Sequence, residues 1–491
     1  MTPPDTSTTP HAVRAGEVRI PRQRTPGEPE TTPAPRRPGA LLRAHWAIVV
    51  LLGAAAVLRA LVMIAYRPAF WYPDSSGYVG LSGNPLHIHN SRPNGYAGFL
   101  MVLRPTHSYL AVVAVQHLLG LLMGLAVYVF LVHRRLPRWL ACVAAATVLF
   151  DSLELTLEHY VLTETMFTTL LVAGVLVVLW SDRPGLWACT CAGLLLALTW
   201  ITRPSTLPVG LLLGGYLLLR RVGWRPLTGY AVAFALPLVA VLAVIGGRPS
   251  PYGSSWTART IYSRVAGFAD CDRIELTDRL RALCPKEPLG TRSDRADWYV
   301  WNGPATAVPK DDNGILTEFA VTVIRQQPGD YLRAVGRDTA PHFLPWRIGP
   351  ASRCLRERWT LPASLRDPTT FQQHCHADPA PAGWSIAYAD SSKAPAGNAL
   401  TRSLHAYSGF VRLPSLALTA VCLLAITVLA RRRRGPTAAR DVLLLVLTAV
   451  ALIVPTVVIG MYELRYALPA LPFVCLAGAM AVDSLRQRAL R

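Results

Sequence analysis

Residues 47–66 read AIVVLLGAAAVLRALVMIAY, twenty positions with a single charge, Arg59. A helix of that length rises ~30 Å, the thickness of a bilayer's hydrocarbon core. The run starts too late and is too long for a cleavable signal peptide, so it predicts a membrane-spanning helix. Outward from it the pattern repeats. Charged punctuation separates apolar runs at about 46–66, 109–131, 139–157, 161–180, 186–201, 206–219, 226–246, 413–430, 441–460 and 466–485. These are ten predicted spans, several of them short enough to suit helices packed inside a bundle.

Composition agrees. The chain of 491 residues is 52% hydrophobic and only 16% charged, whereas soluble proteins carry about a quarter charged residues. The net charge of +20 does not imply nucleic acid, because many of its Arg residues fall in short loops between apolar runs. Residues 1–44, rich in Pro, Thr and Arg, predict a disordered cytoplasmic tail.

Placing that tail inside fixes the alternation. His133-Arg134-Arg135, Asp182-Arg183, Arg220-Arg221 and Arg431 to Arg434 then all fall on the cytoplasmic side, as does the C-terminal tail. The expected setting is a bacterial plasma membrane with both termini cytoplasmic. The expected parts are an N-terminal transmembrane module over 45–246, an extracytoplasmic loop domain over 247–412, and C-terminal helices over 413–491. A further outer loop spans 67–108.

Nine cysteines divide by location. Cys142, Cys189, Cys191, Cys422 and Cys475 fall in apolar runs and read as packing residues. Cys271, Cys284, Cys354 and Cys375 fall in the large outer loop, where disulfides persist. Three pairings are possible, and proximity favours Cys271–Cys284 with Cys354–Cys375. His374-Cys375-His376 matches no familiar zinc spacing.

The outer ends hold the chemistry-bearing residues. Asp74 sits in Tyr72-Pro73-Asp74-Ser75 directly after the first span, either as a helix cap or as a reactive acid. Asp151, Glu154, Glu158 and Glu164 follow within fourteen residues, and at helical spacing the first three share a face. Carboxylates so close to hydrocarbon face a wet cavity or a partner. Arg59, Arg92, Arg203 and Arg465 map to the same level. Such arginines either pair with these acids or hold an anion such as a lipid phosphate. No Gly-rich phosphate loop, Walker pattern or His-Glu-x-x-His helix occurs.

Four local patterns stand in order: Arg59 leading to Tyr72-Pro73-Asp74-Ser75, then Arg92-Pro93-Asn94-Gly95-Tyr96, then Leu162-Thr163-Glu164-Thr165, and finally Arg465-Tyr466-Ala467-Leu468-Pro469. Together they resemble the GT-C superfamily of membrane glycosyltransferases, which use polyprenyl-phosphate sugars. The closer likeness is to protein-mannosyltransferase and aminoarabinose-transferase-like members. It covers about 45–245 and 440–485 but not the large loop. Many relatives carry paired acids in the first loop, whereas here Ser75 follows Asp74.

The resemblance implies a GT-C-like, all-α polytopic fold and an inverting sugar transfer from a polyprenyl-phosphate donor. Asp74 would be the catalytic base; Arg203 and Arg465, with Arg92 as a third, would hold the donor phosphate. Glu164 and Glu158 would bind a divalent metal (Mg or Mn) or position the acceptor. The acceptor would be a glycan, lipid, protein or metabolite, with membrane lipids around the chain and no nucleic-acid partner. The rival reading is a transporter or lipid flippase, with the acid cluster as its coupling site.

Overall fold

The computed structural model describes residues 43–86, 92–245, 254–293, 298–309, 313–344, 359–363, 397–411, 415–430 and 436–489. Most of the expected N-terminal tail, and Cys354, His374, Cys375 and His376, lie outside the described residues. The chain divides after Trp46, and the unit Ala47–Arg491 carries the helical bundle and the candidate site.

Every predicted span falls on helical residues, the third and the last each divided between two helices. The first ten helices are α1 (Trp46–Ala65), α2 (Pro73–Leu81), α3 (Gly95–Leu103), α4 (Tyr109–His133), α5 (Arg138–Phe150), α6 (Ser152–Glu158), α7 (Glu164–Leu179), α8 (Leu186–Thr202), α9 (Leu207–Arg220) and α10 (Trp224–Ile245). After them come α11 (Ser254–Ala266), α12 (Asp278–Arg281), α13 (Trp298–Trp301), α14 (Gly314–Gln326), α15 (Pro328–Phe343) and α16 (Ala399–Phe410). The chain closes with α17 (Ser415–Ala430), α18 (Pro436–Ile459), α19 (Leu464–Ala467) and α20 (Leu471–Ala489). Among the described residues there is no strand, only an isolated bridge between Phe70 and Tyr160.

Among the described residues, five stretches are long and apolar enough to cross a membrane alone: α1, α4, α10, Ala439–Ile459 and Leu464–Gln487. The α5–α6 pair makes a sixth if its two halves count as one span. α7, α8 and Ala417–Leu429 are apolar but shorter. Side chains such as Val57, Leu211 and Leu236 stand exposed on this bundle, an outer surface suited to lipid. The protein is therefore an all-α, multi-pass membrane protein.

The predicted third span is not continuous. α5 stops at Phe150, and α6 leaves at 48°. Asp151 causes the break, since its carboxylate accepts from the Leu153 and Glu154 N–H groups (2.9 and 3.2 Å) and so caps a new helix. The helical face expected for Asp151, Glu154 and Glu158 does not exist, because Asp151 stands outside both helices.

Charge gathers at two levels of the bundle. At one, Asp441 accepts from Arg134 (2.8 Å), Arg220 (3.1 Å) and the Tyr216 hydroxyl (2.6 Å). Asp182 joins through Arg134 at 3.0 Å. At the other lie Glu164, Arg203 and Arg465. α7 runs from Glu164 to just short of Asp182, α9 from just past Arg203 to Arg220, and α18 holds Asp441 near one end with Arg465 beyond the other. Sixteen residues of α7 span ~24 Å, so the clusters mark opposite ends of the same helices.

Part of 247–412 builds its own core. Tyr262, Val265, Tyr299, Phe319 and Val323 from α11, α13 and α14 are buried together, beside a Cys271–Cys284 disulfide. α15 ties this cluster to the bundle, with the Tyr331 hydroxyl donating to Val458 O at 3.1 Å.

Candidate functional site

Asp74 occupies the first turn of α2. It is not the cap. That task falls to Ser75, whose hydroxyl accepts from the Tyr72 N–H (3.0 Å) and donates to Val161 O (2.9 Å). Two backbone bonds tie the same loop down: the Phe70 N–H donates to His159 O at 2.9 Å, and the Val161 N–H donates to Phe70 O at 3.1 Å. The loop bearing Asp74 is thereby registered against the loop that opens α7 at Glu164.

With capping assigned to Ser75, the Asp74 carboxylate points elsewhere. Oδ1 accepts from Arg92 Nη2 at 2.7 Å, and Oδ2 lies 3.3 Å from both terminal nitrogens of Arg465. Arg465 also reaches Glu164 Oε1 at 3.5 Å, where Arg203 Nη1 donates at 3.1 Å. The side chains of Asp74, Arg92 and Arg203 keep 20%, 15% and 17% of their exposure, so the cluster is partly open. Of the predicted residues, the structure brings together Asp74, Arg92, Glu164, Arg203 and Arg465.

Aromatic rings hold two of the guanidiniums. Arg465 lies 4.6 Å from the Tyr72 centroid, 5.0 Å from Tyr466 and 5.5 Å from Trp359. Arg203 lies 4.7 Å from Tyr466 and 5.3 Å from Phe167. Cation–π contacts fix a planar guanidinium without neutralising it, so these groups stay available to an anion. Trp359 is fully buried and donates from Nε1 to Glu463 Oε1 at 2.5 Å. It comes from the large loop, and no sequence pattern singles it out. Gly95 permits the approach of α3, since a Cβ there would sit 2.4 Å from Thr202 Oγ1, the residue before Arg203.

Glu158 stands apart from this cluster. It is fully buried, bound by Arg59 Nη2 at 2.6 Å and His117 Nδ1 at 2.7 Å. Arg59 does not reach for the membrane surface but is itself buried in that pair. Burial pushes the Tyr78 phenol well above its ordinary value, and nearby Asp74 and Glu164 push it further. Tyr78 therefore stays protonated and cannot serve as a base beside Asp74.

The donor set does not suit a divalent metal. Both Asp74 oxygens and one Glu164 oxygen already face guanidiniums, and three arginines outnumber the two acids. Among the described residues, no three His, Cys, Asp or Glu side chains are arranged to hold a metal ion. The arrangement suits an anion with a nearby hydroxyl: guanidiniums to hold oxygens, carboxylates to accept a proton. No protein-family model matches the chain, and no curated protein matches it.

Proposed function

We propose that the protein is an inverting membrane glycosyltransferase of the GT-C type, which moves a sugar from a polyprenyl-phosphate donor to an acceptor hydroxyl. The observation that carries this reading is Arg465, one guanidinium set between Asp74 and Glu164. Donor phosphate oxygens take up Arg465, Arg203 and Arg92, which releases Asp74 from its ion pairs. Asp74 then accepts the proton of the acceptor hydroxyl as that oxygen bonds to the anomeric carbon. The bond from that carbon to phosphate oxygen breaks, and its electron pair leaves with the polyprenyl phosphate. Glu164 keeps Arg203 and Arg465 in register. No step needs a metal.

In the same proposal ten spans cross a bacterial plasma membrane, with both termini cytoplasmic and 247–412 as an outer domain. Its support is the sorting of charge: Arg134, Asp182, Arg220 and Asp441 meet at one level, Asp74, Glu164, Arg203 and Arg465 at the other. Alternating spans put each set on one side. The disulfide fits an oxidising compartment for the outer domain.

A transporter would draw on a different feature, the buried Arg59–Glu158–His117 group within the helices. Incubating purified protein and Asp74→Asn with a panel of polyprenyl-phosphate sugars and membrane glycan acceptors separates the two. Transfer by the parent that vanishes in the variant supports the enzyme. Equal transfer by both removes Asp74 from the mechanism, and no transfer from any donor favours transport.

A further inference from the structure

Glu158 begins a chain of polar contacts that ends on the loop carrying Asp74. Its Oε2 meets His117 Nδ1 at 2.7 Å, His117 Nε2 meets His159 Nδ1 at 3.2 Å, and His159 Nε2 meets Tyr66 O at 2.7 Å. Oε1 is held by Arg59, whose Nη1 also donates to Leu149 O at 2.9 Å. Room for this arrangement comes from α4: a Cβ on Gly120 would lie 1.7 Å from Glu158 Oε1. The His159 ring stands edge-on to Phe70 at 4.9 Å, and its backbone O takes the Phe70 N–H.

The Tyr66 carbonyl only accepts, so His159 donates to it from Nε2 and leaves Nδ1 to accept from His117 Nε2. Burial drives the His159 pKa down to about 3, with His117 adding to the shift, so His159 is neutral. The charged or titratable groups facing the pair are Arg59 from α1, Glu154 and Glu158 from α6, Asp151 at the break, and Tyr407 from α16. Glu154 is fully buried, and among the described residues neither of its oxygens is hydrogen-bonded.

We propose that Glu158, His117 and His159 form a strut that positions the Asp74 loop, making Glu158 a positioning residue rather than a ligand. Losing any of the three links frees the backbone from Tyr66 to Phe70. The strut matters to catalysis only through the reading of Asp74 as the reacting group, but its geometry is testable without it.

Hydrogen exchange by mass spectrometry, on the full-length protein in lipid nanodiscs, reads protection of residues 67–78 against the loop at Asp182. His117→Gln and His159→Phe should lower protection of 67–78 about ten-fold and leave the Asp182 loop unchanged. His159→Gln, whose amide can still donate to Tyr66 O, should recover most of it. Unchanged protection in the variants overturns the strut. Where His159→Phe does not fold, His117→Gln decides the matter alone, and protection of 67–78 equal to the parent's overturns the strut. No sugar donor enters this readout, so the strut and the transfer reading fail separately.

Discussion

Arg465 lies 3.3 Å from the Asp74 carboxylate across 391 residues of sequence. It is buried, and it faces Glu164 as well. The contact joins the first outer loop to the start of the last helix, so neither residue holds its geometry alone.

Replacing Arg465 should therefore damage anion binding more than folding, because Arg92 and Arg203 still face the two acids. Truncating one partner of a desolvated charge pair costs about 3 kcal/mol, or roughly a hundredfold in affinity. Arg465→Ala should weaken binding of undecaprenyl phosphate by about that factor, measured by microscale thermophoresis in detergent. Arg465→Lys should recover only part, since an ammonium lacks the planar fork. Equal affinity in all three proteins would remove Arg465 from the phosphate site.

The other charge cluster gives a ranking test. Asp441 is 1% exposed and faces two arginines and a tyrosine, whereas Asp182 is 68% exposed. Removing one partner of a buried pair costs about 3–5 kcal/mol, while exposed pairs contribute about 0–1 kcal/mol. Thermal melts in detergent should show a large loss for Asp441→Asn and almost none for Asp182→Asn. The reverse order would mean that this end of the bundle is not closed as described.

His342 on α15 makes stability depend on pH. It is 6% exposed, its ring 4.6 Å from Tyr462, and burial lowers its pKa from the ordinary 6.5 to about 4, against a smaller opposing pull from Asp338. Between those values the unfolded chain binds the proton that the folded chain refuses. Stability should thus be complete above about pH 6.5, fall as pH drops towards 4, and level off below, with a total loss of about 3 kcal/mol. His342→Gln should flatten that part of the profile in melts from about pH 4 to pH 7. A variant profile as steep as the parent's would assign the slope to other groups.

Local and repeated features were legible in the sequence. Most apolar runs became single helices, and alternation placed Asp74, Arg92, Glu164, Arg203 and Arg465 at one level, where they meet. Glu158 and Glu164 show where such reading stops. Six residues apart and alike in their apolar surroundings, they diverge because Asp151 restarts the helix and the chain turns again at 159–163. One carboxylate then faces Arg59 and His117, the other Arg203 and Arg465. Trp359 left no local signal at all, since its place under Arg465 depends on how a long polar segment returns to the bundle.

The Cys271–Cys284 disulfide tests the outer segment on its own. It spans 13 positions, and a loop of about that size is stabilised by about 3 kcal/mol, chiefly by limiting the unfolded chain. It closes beside the core of Tyr262 and Phe319, where the Tyr262 hydroxyl donates to Leu283 O at 2.7 Å, next to Cys284. The double variant Cys271→Ser with Cys284→Ser should therefore loosen α11 to α14 while the bundle stays folded. Limited proteolysis should cut within 254–326 at least ten times faster, and circular dichroism should show little loss of helix. Those cuts should appear on right-side-out membrane vesicles and not on inverted ones, because the disulfide fits the oxidising side. Cleavage from the opposite face would invert the whole assignment of sides, and with it the compartment in which Asp74 meets its substrate.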